Sequence, residues 1–135
     1  MPAGYSGTPL WKKLGYKPGT SAYVCDAPGN YRALLAPLPE GVVFRKAPGN
    51  KLELAHIFVA ERRRLEIMAP KLVEAIRPAG MIWVSWPKKS SGVRSDMTED
   101  VIREIALSLG LVDVKVCAVD EIWSGLKLVI RKELR

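Results

Sequence analysis

Three observations in the sequence predict a three-layer α/β fold whose sheet is mostly parallel and carries an antiparallel C-terminal strand. Apolar, strand-like runs alternate with segments of helical period through most of the 135 residues, and that alternation argues a parallel sheet with helices on both faces. Residues 81–86, MIWVSW, form an uncharged run that reads as a buried strand. Near the C-terminus, two strand-like runs are separated only by Asp120, Glu121 and Ile122, a link that forces an antiparallel pair.

Residues 1–7 read as a flexible arm. Thr8 and Pro9 then predict the cap and first position of a short helix that Gly15 stops. Pro18 and Gly19 turn the chain into an apolar strand at 22–25. After the loop 26–30, Asn30 or a neighbour caps a helix through Leu35, which Pro37 and Pro39 end. Residues 42–46 make a second strand, and Pro48, Gly49 and Asn50 turn the chain into a third at 54–59. The seven residues 47–53 join these two, whereas a parallel crossover usually takes about a dozen. An extended segment gaining about 3.3 Å per residue spans the distance; the alternative places 42–46 outside the main sheet.

Over 61–77, the residues Leu65, Met68, Leu72, Ala75 and Ile76 share one face of a 3.6-residue period. Pro70 is expected to kink or restart that helix, and 78–80 end it. Strand 81–86 follows. Thr98 then caps a helix in which Glu99 and Asp100 favour the positive end. Its apolar face is Val101, Ile102, Ile105 and Leu109, and Gly110 stops it. Strands at 112–116 and 123–130 complete the order β-α-β-β-α-β-α-β-β. No repeat or linker marks a boundary, so residues 1–135 read as a single Rossmann-like α/β domain.

The net charge of +7 favours anionic partners, with general solubility as the plain alternative. The charge is uneven: residues 81–95 hold three cations and no acid. The apolar runs are far shorter than a membrane span, and the N-terminus lacks the pattern of a secretory signal. A cytosolic protein without a membrane partner is expected. Cys25 and Cys117 lie in apolar runs, with no CxxC and a single histidine, so reduced thiols and no metal site are expected.

The segment 14–19, LGYKPG, resembles the lead-in to the first strand of class I S-adenosylmethionine-dependent methyltransferases. So does the back half: a helix ending RPAG at 77–80, a strand, a helix ending LGL at 109–111, then an antiparallel pair. This resemblance implies a minimal methyltransferase-like topology, one strand–helix unit short in the middle, with strand 81–86 beside the reversed final strand. The phrases GYSGTPL at 4–10, WVSWPKK at 83–89, VDVKVC at 112–117 and WSGLK at 123–127 also resemble an uncharacterised family of small bacterial proteins, which brings no activity with it. Two departures from the methyltransferase pattern matter. The loop after the first strand has one glycine and Pro28 where that family has a glycine-rich turn. Arg45 and Lys46 stand where the family keeps an acid for the ribose. Weak or absent binding of S-adenosylmethionine is therefore expected, and no cofactor is assigned.

Ligands of open α/β sheets bind at the carboxyl edge, where the loops 26–30, 60–63, 87–94 and 120–123 would meet. The candidate ligand-binding residues are Gly29, Asn30, Trp86, Lys88, Lys89, Ser90, Ser91, Gly92, Arg94 and Trp123. Two indoles beside these cations would suit a planar anion such as a nucleotide, and the small residues would wrap a phosphate. In the plain alternative, the tryptophans are edge core and the lysines are solvated. Arg62, Arg63 and Arg64 at a helix start call for an anion, or for Glu61 and Glu66 as local partners. His56 is expected to be buried and hydrogen-bonded. Asp120 and Glu121 are candidates to pair with Lys88 or Lys89, and no catalytic residue is assigned. These features predict a non-catalytic binding or regulatory module for a phosphate-bearing, nucleotide or nucleic-acid ligand. The alternatives are a divergent S-adenosylmethionine-dependent methyltransferase or other small enzyme, and a protein-interaction subunit using an apolar sheet edge. Oligomeric state stays open.

Overall fold

A computed structural model of the protein describes residues 7–135, so the arm expected at 1–7 lies almost wholly outside the described residues. Helix α1 (Leu10–Leu14) opens the description. Pro9 sits at its N-cap and not at the first helical position, and no side chain caps it, which corrects the assignment to Thr8. Gly15 ends it as expected, at φ 93°, a conformation that costs glycine little. Strand β1 (Ser21–Cys25), helix α2 (Tyr31–Leu35), strand β2 (Val43–Arg45) and strand β3 (Leu54–Phe58) follow. Then come helix α3 (Arg62–Ile76), strand β4 (Met81–Pro87), helix α4 (Glu99–Ser108), strand β5 (Leu111–Ala118) and strand β6 (Trp123–Ile130).

The six strands form one sheet in the order β2-β1-β3-β4-β6-β5. The first four are parallel, and β6 runs antiparallel between β4 and β5. The short link before β3 proves compatible with a parallel sheet because β2 and β3 flank β1. Arg45 tightens that link by donating from Nη1 to the carbonyls of Pro48 (3.1 Å) and Asn50 (2.7 Å).

Two apolar cores sandwich the sheet. Ile57, Ile82, Val84, Leu126 and Leu128 face α3 and α4. Leu54, Phe58 and Trp83 face α1 and α2, where Leu14, Tyr16, Tyr31 and Leu35 cover them. All five residues of β3 are buried, as an interior strand covered on both faces requires. Helix α3 runs without interruption through Pro70, so it does not restart there. Leu65, Ala69, Leu72, Val73, Ala75 and Ile76 are buried along it, while Pro70 is exposed. Each fully buried leucine or isoleucine contributes about 1.5–3 kcal/mol, so together they outweigh the roughly 3 kcal/mol of an interior proline. Helix α4 is capped as predicted, with the Thr98 hydroxyl accepting the Val101 N–H at 3.1 Å. Cys25 and Cys117 are free thiols, on strands separated by β3, β4 and β6. Among the described residues, no helix is long and apolar enough to cross a membrane.

Candidate functional site

The carboxyl edge of the sheet is spanned by the segment 88–96, which leaves β4 and returns over the end of β3. Both of its ends are pinned. At the near end, the Lys88 N–H donates to Ile122 O (2.8 Å), and its ammonium donates to Asp120 O (2.7 Å). At the far end, Ala60 O accepts the Ser95 hydroxyl (2.7 Å) and the Asp96 N–H (3.2 Å). The Asp96 carboxylate then accepts the Arg62 N–H at 2.7 Å, placing an acid at the positive end of α3. Sequence reasoning ended this loop at Arg94 and missed Ser95 and Asp96. The usable signal was an acid appearing immediately after an acid-free run.

Several predicted site residues serve the strap itself. Lys89, Ser90 and Ser91 form a 3₁₀ turn, closed by Gly92 at φ 77°. The Ser91 hydroxyl donates to Lys88 O (2.6 Å) and accepts the Val93 N–H (3.1 Å). The N–H groups of Ser91 and Gly92 bond Lys88 O and Lys89 O. These donors are therefore engaged in the turn and do not point at a phosphate. Lys89 and Arg94 are exposed, and neither has a carboxylate within ion-pair distance among the described residues.

The two tryptophans do not lie side by side. Trp86 pairs with Ser124, whereas Trp123 pairs with Pro87, one residue on, so their side chains leave opposite faces of the sheet. Trp86 packs against the α3/α4 core. Trp123 packs against the other core, edge-on to Phe58 at 5.1 Å between centroids. Gly29 and Asn30 are exposed in the loop before α2, and Asn30 occupies the N-cap position without a side-chain hydrogen bond. Asp120 does not pair with Lys88 through its carboxylate. That carboxylate accepts the N–H groups of Ile122 (2.8 Å) and Trp123 (2.7 Å), forming the tight turn between β5 and β6.

Two of the three arginines, Arg62 and Arg64, find acids, partly from afar. Arg62 bonds Glu104 on α4 at 3.2 and 3.3 Å and lies 3.5 Å from Glu66. Arg64 reaches Asp26 at the end of β1 (3.3 Å) and sits 3.9 Å from the Cys25 sulfur. Asp26 adopts φ 57°, so this loop is fixed by one residue in the left-handed region and by an ion pair.

Beneath the edge, on the α1/α2 side, runs a buried polar chain that the sequence did not disclose. Tyr16 Oη lies 2.8 Å from Tyr31 Oη, which lies 2.8 Å from His56 Nδ1. His56 Nε2 lies 2.7 Å from Ser85 Oγ. His56 is fully buried, as expected, and burial lowers its pKa to about 3, so the ring is neutral. Burial likewise pushes the Tyr16 hydroxyl up to about 12 and raises Tyr31 further. None of these groups is exposed enough to exchange protons with a ligand, so the chain orders the core beneath the site. A cleft of about 450 Å³ lies at the opposite, amino-terminal edge, lined in part by Lys17, Lys51, Glu53 and Arg77.

No protein-family model matches the chain, and no curated protein matches it in sequence. Solved structures do match. One is the magnesium protoporphyrin IX methyltransferase ChlM from Synechocystis PCC 6803 with bound SAH. It has 13% identity and a TM-score of 0.55, over 90% of this chain and 78% of that one. A SAM-dependent methyltransferase from Aquifex aeolicus matches at 12% identity and a TM-score of 0.57, over 90% and 88%. A putative methyltransferase from Thermoplasma acidophilum matches at 7% identity and a TM-score of 0.56, over 93% and 75%. The fold is that of the class I S-adenosylmethionine-dependent methyltransferases.

The loop after β1 and the end of β2 depart from the cofactor cradle that the methyltransferase resemblance implies. A Cβ at Gly29 would meet nothing within 4 Å, so the space beside that glycine is open. Pro28 supplies no N–H donor. Arg45, standing where an acid would hold the ribose, is committed to the carbonyls of Pro48 and Asn50. These residues do not fit S-adenosylmethionine as the resemblance to that family implies.

Proposed function

We propose that the protein is a binding module that recognises an anionic, phosphate-bearing ligand such as a nucleotide at the carboxyl edge of its methyltransferase-fold sheet. The strap carries this reading. It is a cationic segment without an acid from Pro87 to Ser95, pinned at both ends, with Lys89 and Arg94 exposed and unneutralised. A pinned backbone lowers the ordering cost that a ligand would otherwise meet. Recognition falls to the side chains of Lys89 and Arg94, with Ser90 beside them, because the neighbouring backbone donors serve the turn. The chain acts as a single module in a reducing, cytosolic setting, with which its two free thiols agree.

A second reading is methyl transfer from S-adenosylmethionine by a divergent enzyme. The comparisons support it more directly than they support a purely non-catalytic role, since these neighbours are methyltransferases and one holds SAH. The chemistry of the loop after β1 argues against it.

Calorimetric titration separates the two. Binding of a nucleoside triphosphate that is lost in a Lys89→Ala/Arg94→Ala variant is expected. Low-micromolar binding of S-adenosylhomocysteine, unaffected by that variant, would instead establish the methyltransferase reading.

A further inference from the structure

Lys115 on β5 stands directly opposite Lys127 on β6. Lys127 is in register with Trp83 on its other side, which places both lysines on the α1/α2 face of the sheet. Lys115 extends across β6, so that its ammonium lies 6.0 Å from the centre of the Trp83 ring. The charges of Lys13, on α1, and of Lys115 both act on the Cys117 thiol, whose pKa burial otherwise raises. Like charges facing each other across a ladder are about 5 Å apart at Cβ and destabilise the pair. Lys127 is half-buried, and burial, followed by the charge of Lys115, lowers its pKa.

No carboxylate answers this cluster. Among the described residues, Lys13, Lys115 and Lys127 make no ion pair. Residues 1–6 contain no Asp or Glu that could supply one. Asp113, the acid on β5, is held by Arg103 of α4 at 3.1 Å, on the other face of the sheet. The cluster also lies away from the strap, because Lys127 is four residues along β6 from Trp123, about 13 Å.

We propose that this lysine face of β5 and β6 is a second anion-binding surface, whose ligand is the phosphodiester backbone of a nucleic-acid strand. Lys115 and Lys127 lie on neighbouring strands of one sheet face, and Lys13 lies on α1. That spacing suits a ligand with charges repeated along its length. An anion laid between Lys115 and Lys127 would turn their repulsion into shared attraction.

The test uses fluorescence anisotropy with a short labelled single-stranded oligonucleotide, from about 50 to about 200 mM salt. Wild type is expected to bind at the low end and weaken steeply with salt. Lys115→Gln/Lys127→Met should reduce the log–log salt slope by about 0.7 for each lysine lost. Lys127→Met alone should raise Tm while weakening binding, which a merely solvated lysine would not do. Lys115→Glu, at an exposed position, guards against a folding defect in the double variant. No binding at the low end would overturn the proposal, as would wild-type affinity in the double variant. Loss of oligonucleotide binding in Lys89→Ala/Arg94→Ala alone would move the nucleic-acid site to the strap. Competition by inorganic phosphate at equal phosphate concentration would reduce the ligand to an isolated anion.

Discussion

The Tyr31 hydroxyl lies 2.8 Å from His56 Nδ1, and the opposite nitrogen of the same ring lies 2.7 Å from the Ser85 hydroxyl. Tyr31 therefore bridges Tyr16 on one side and a neutral, fully buried imidazole on the other. Tyr31→Phe keeps the ring but leaves His56 Nδ1 and Tyr16 Oη without this partner. A buried polar group left unsatisfied costs about 1–3 kcal/mol. Urea unfolding should show a loss in that range, and a loss below roughly 0.5 kcal/mol would mean that the chain is not coupled through Tyr31.

The same imidazole gives the fold an acid sensitivity. Burial holds His56 near pKa 3, while the unfolded chain protonates it near the ordinary 6.5. Above that value neither state takes the proton, and the stability is complete. As pH falls below it, the unfolded state gains a proton that the folded state refuses, so stability drops toward pH 3. Between pH 7 and 5 this one group should remove about 2 kcal/mol. His56→Gln should be less stable at pH 7, yet lose that part of the pH dependence. A wild type and variant with parallel stability–pH curves in this window would contradict the assignment.

Gly125 faces Ser85 across the β4–β6 ladder. A Cβ there would come within 3.1 Å of Ser85 Oγ and 3.2 Å of Trp83 Cε3. Both neighbours are buried, and Trp83 is tethered by its indole N–H to Leu14 O at 2.7 Å, so neither yields cheaply. Gly125→Ala should cost about 1–3 kcal/mol, as overpacking does. The reading by thermal unfolding is a lowered Tm; an unchanged Tm would show that the ladder relaxes.

The fold was legible where local chemistry and global packing agree. Thr98, Glu99, Asp100 and Gly110 announce α4 without help from the rest of the chain, and an uncharged run such as 81–86 has few places to go except the sheet interior. Pro70 does not restart the helix because its cost is local, whereas the burial that keeps α3 continuous comes from residues on another face. The site was legible only as a place. Whether Trp86 and Trp123 share a face depends on the pairing of Pro87 with Trp123, a single-residue matter of register. The register shift between Asp113 and Lys115 likewise decides that Lys115 meets Lys127 and that Asp113 faces α4. Tyr16, Tyr31, His56 and Ser85 are brought together from three elements and the segment after α1, and nothing in their sequence spacing connects them.

The strap separates structural from recognising cations, and mutation should expose the split. Lys88 is half-buried, and its ammonium is spent on Asp120 O, where it clasps the β5–β6 turn to the end of β4. Hydrogen bonds to charged groups contribute about 1.5–3 kcal/mol, less where water competes, so Lys88→Ala should lower stability by about 1 kcal/mol. Among the described residues Lys89 and Arg94 make no such bond, and both are exposed, so Lys89→Ala and Arg94→Ala should leave unfolding within about 0.5 kcal/mol of wild type. Ligand binding should respond in the reverse order. Each exposed cation that meets a phosphate is expected to weaken nucleotide affinity by about tenfold when removed, equivalent to about 1.4 kcal/mol. Parallel measurements of Tm and calorimetric Kd on the three single variants give the pattern directly. If Lys88→Ala alone abolishes nucleotide binding while Lys89→Ala and Arg94→Ala bind normally, the anion is held by the turn beneath the strap and not by its exposed side.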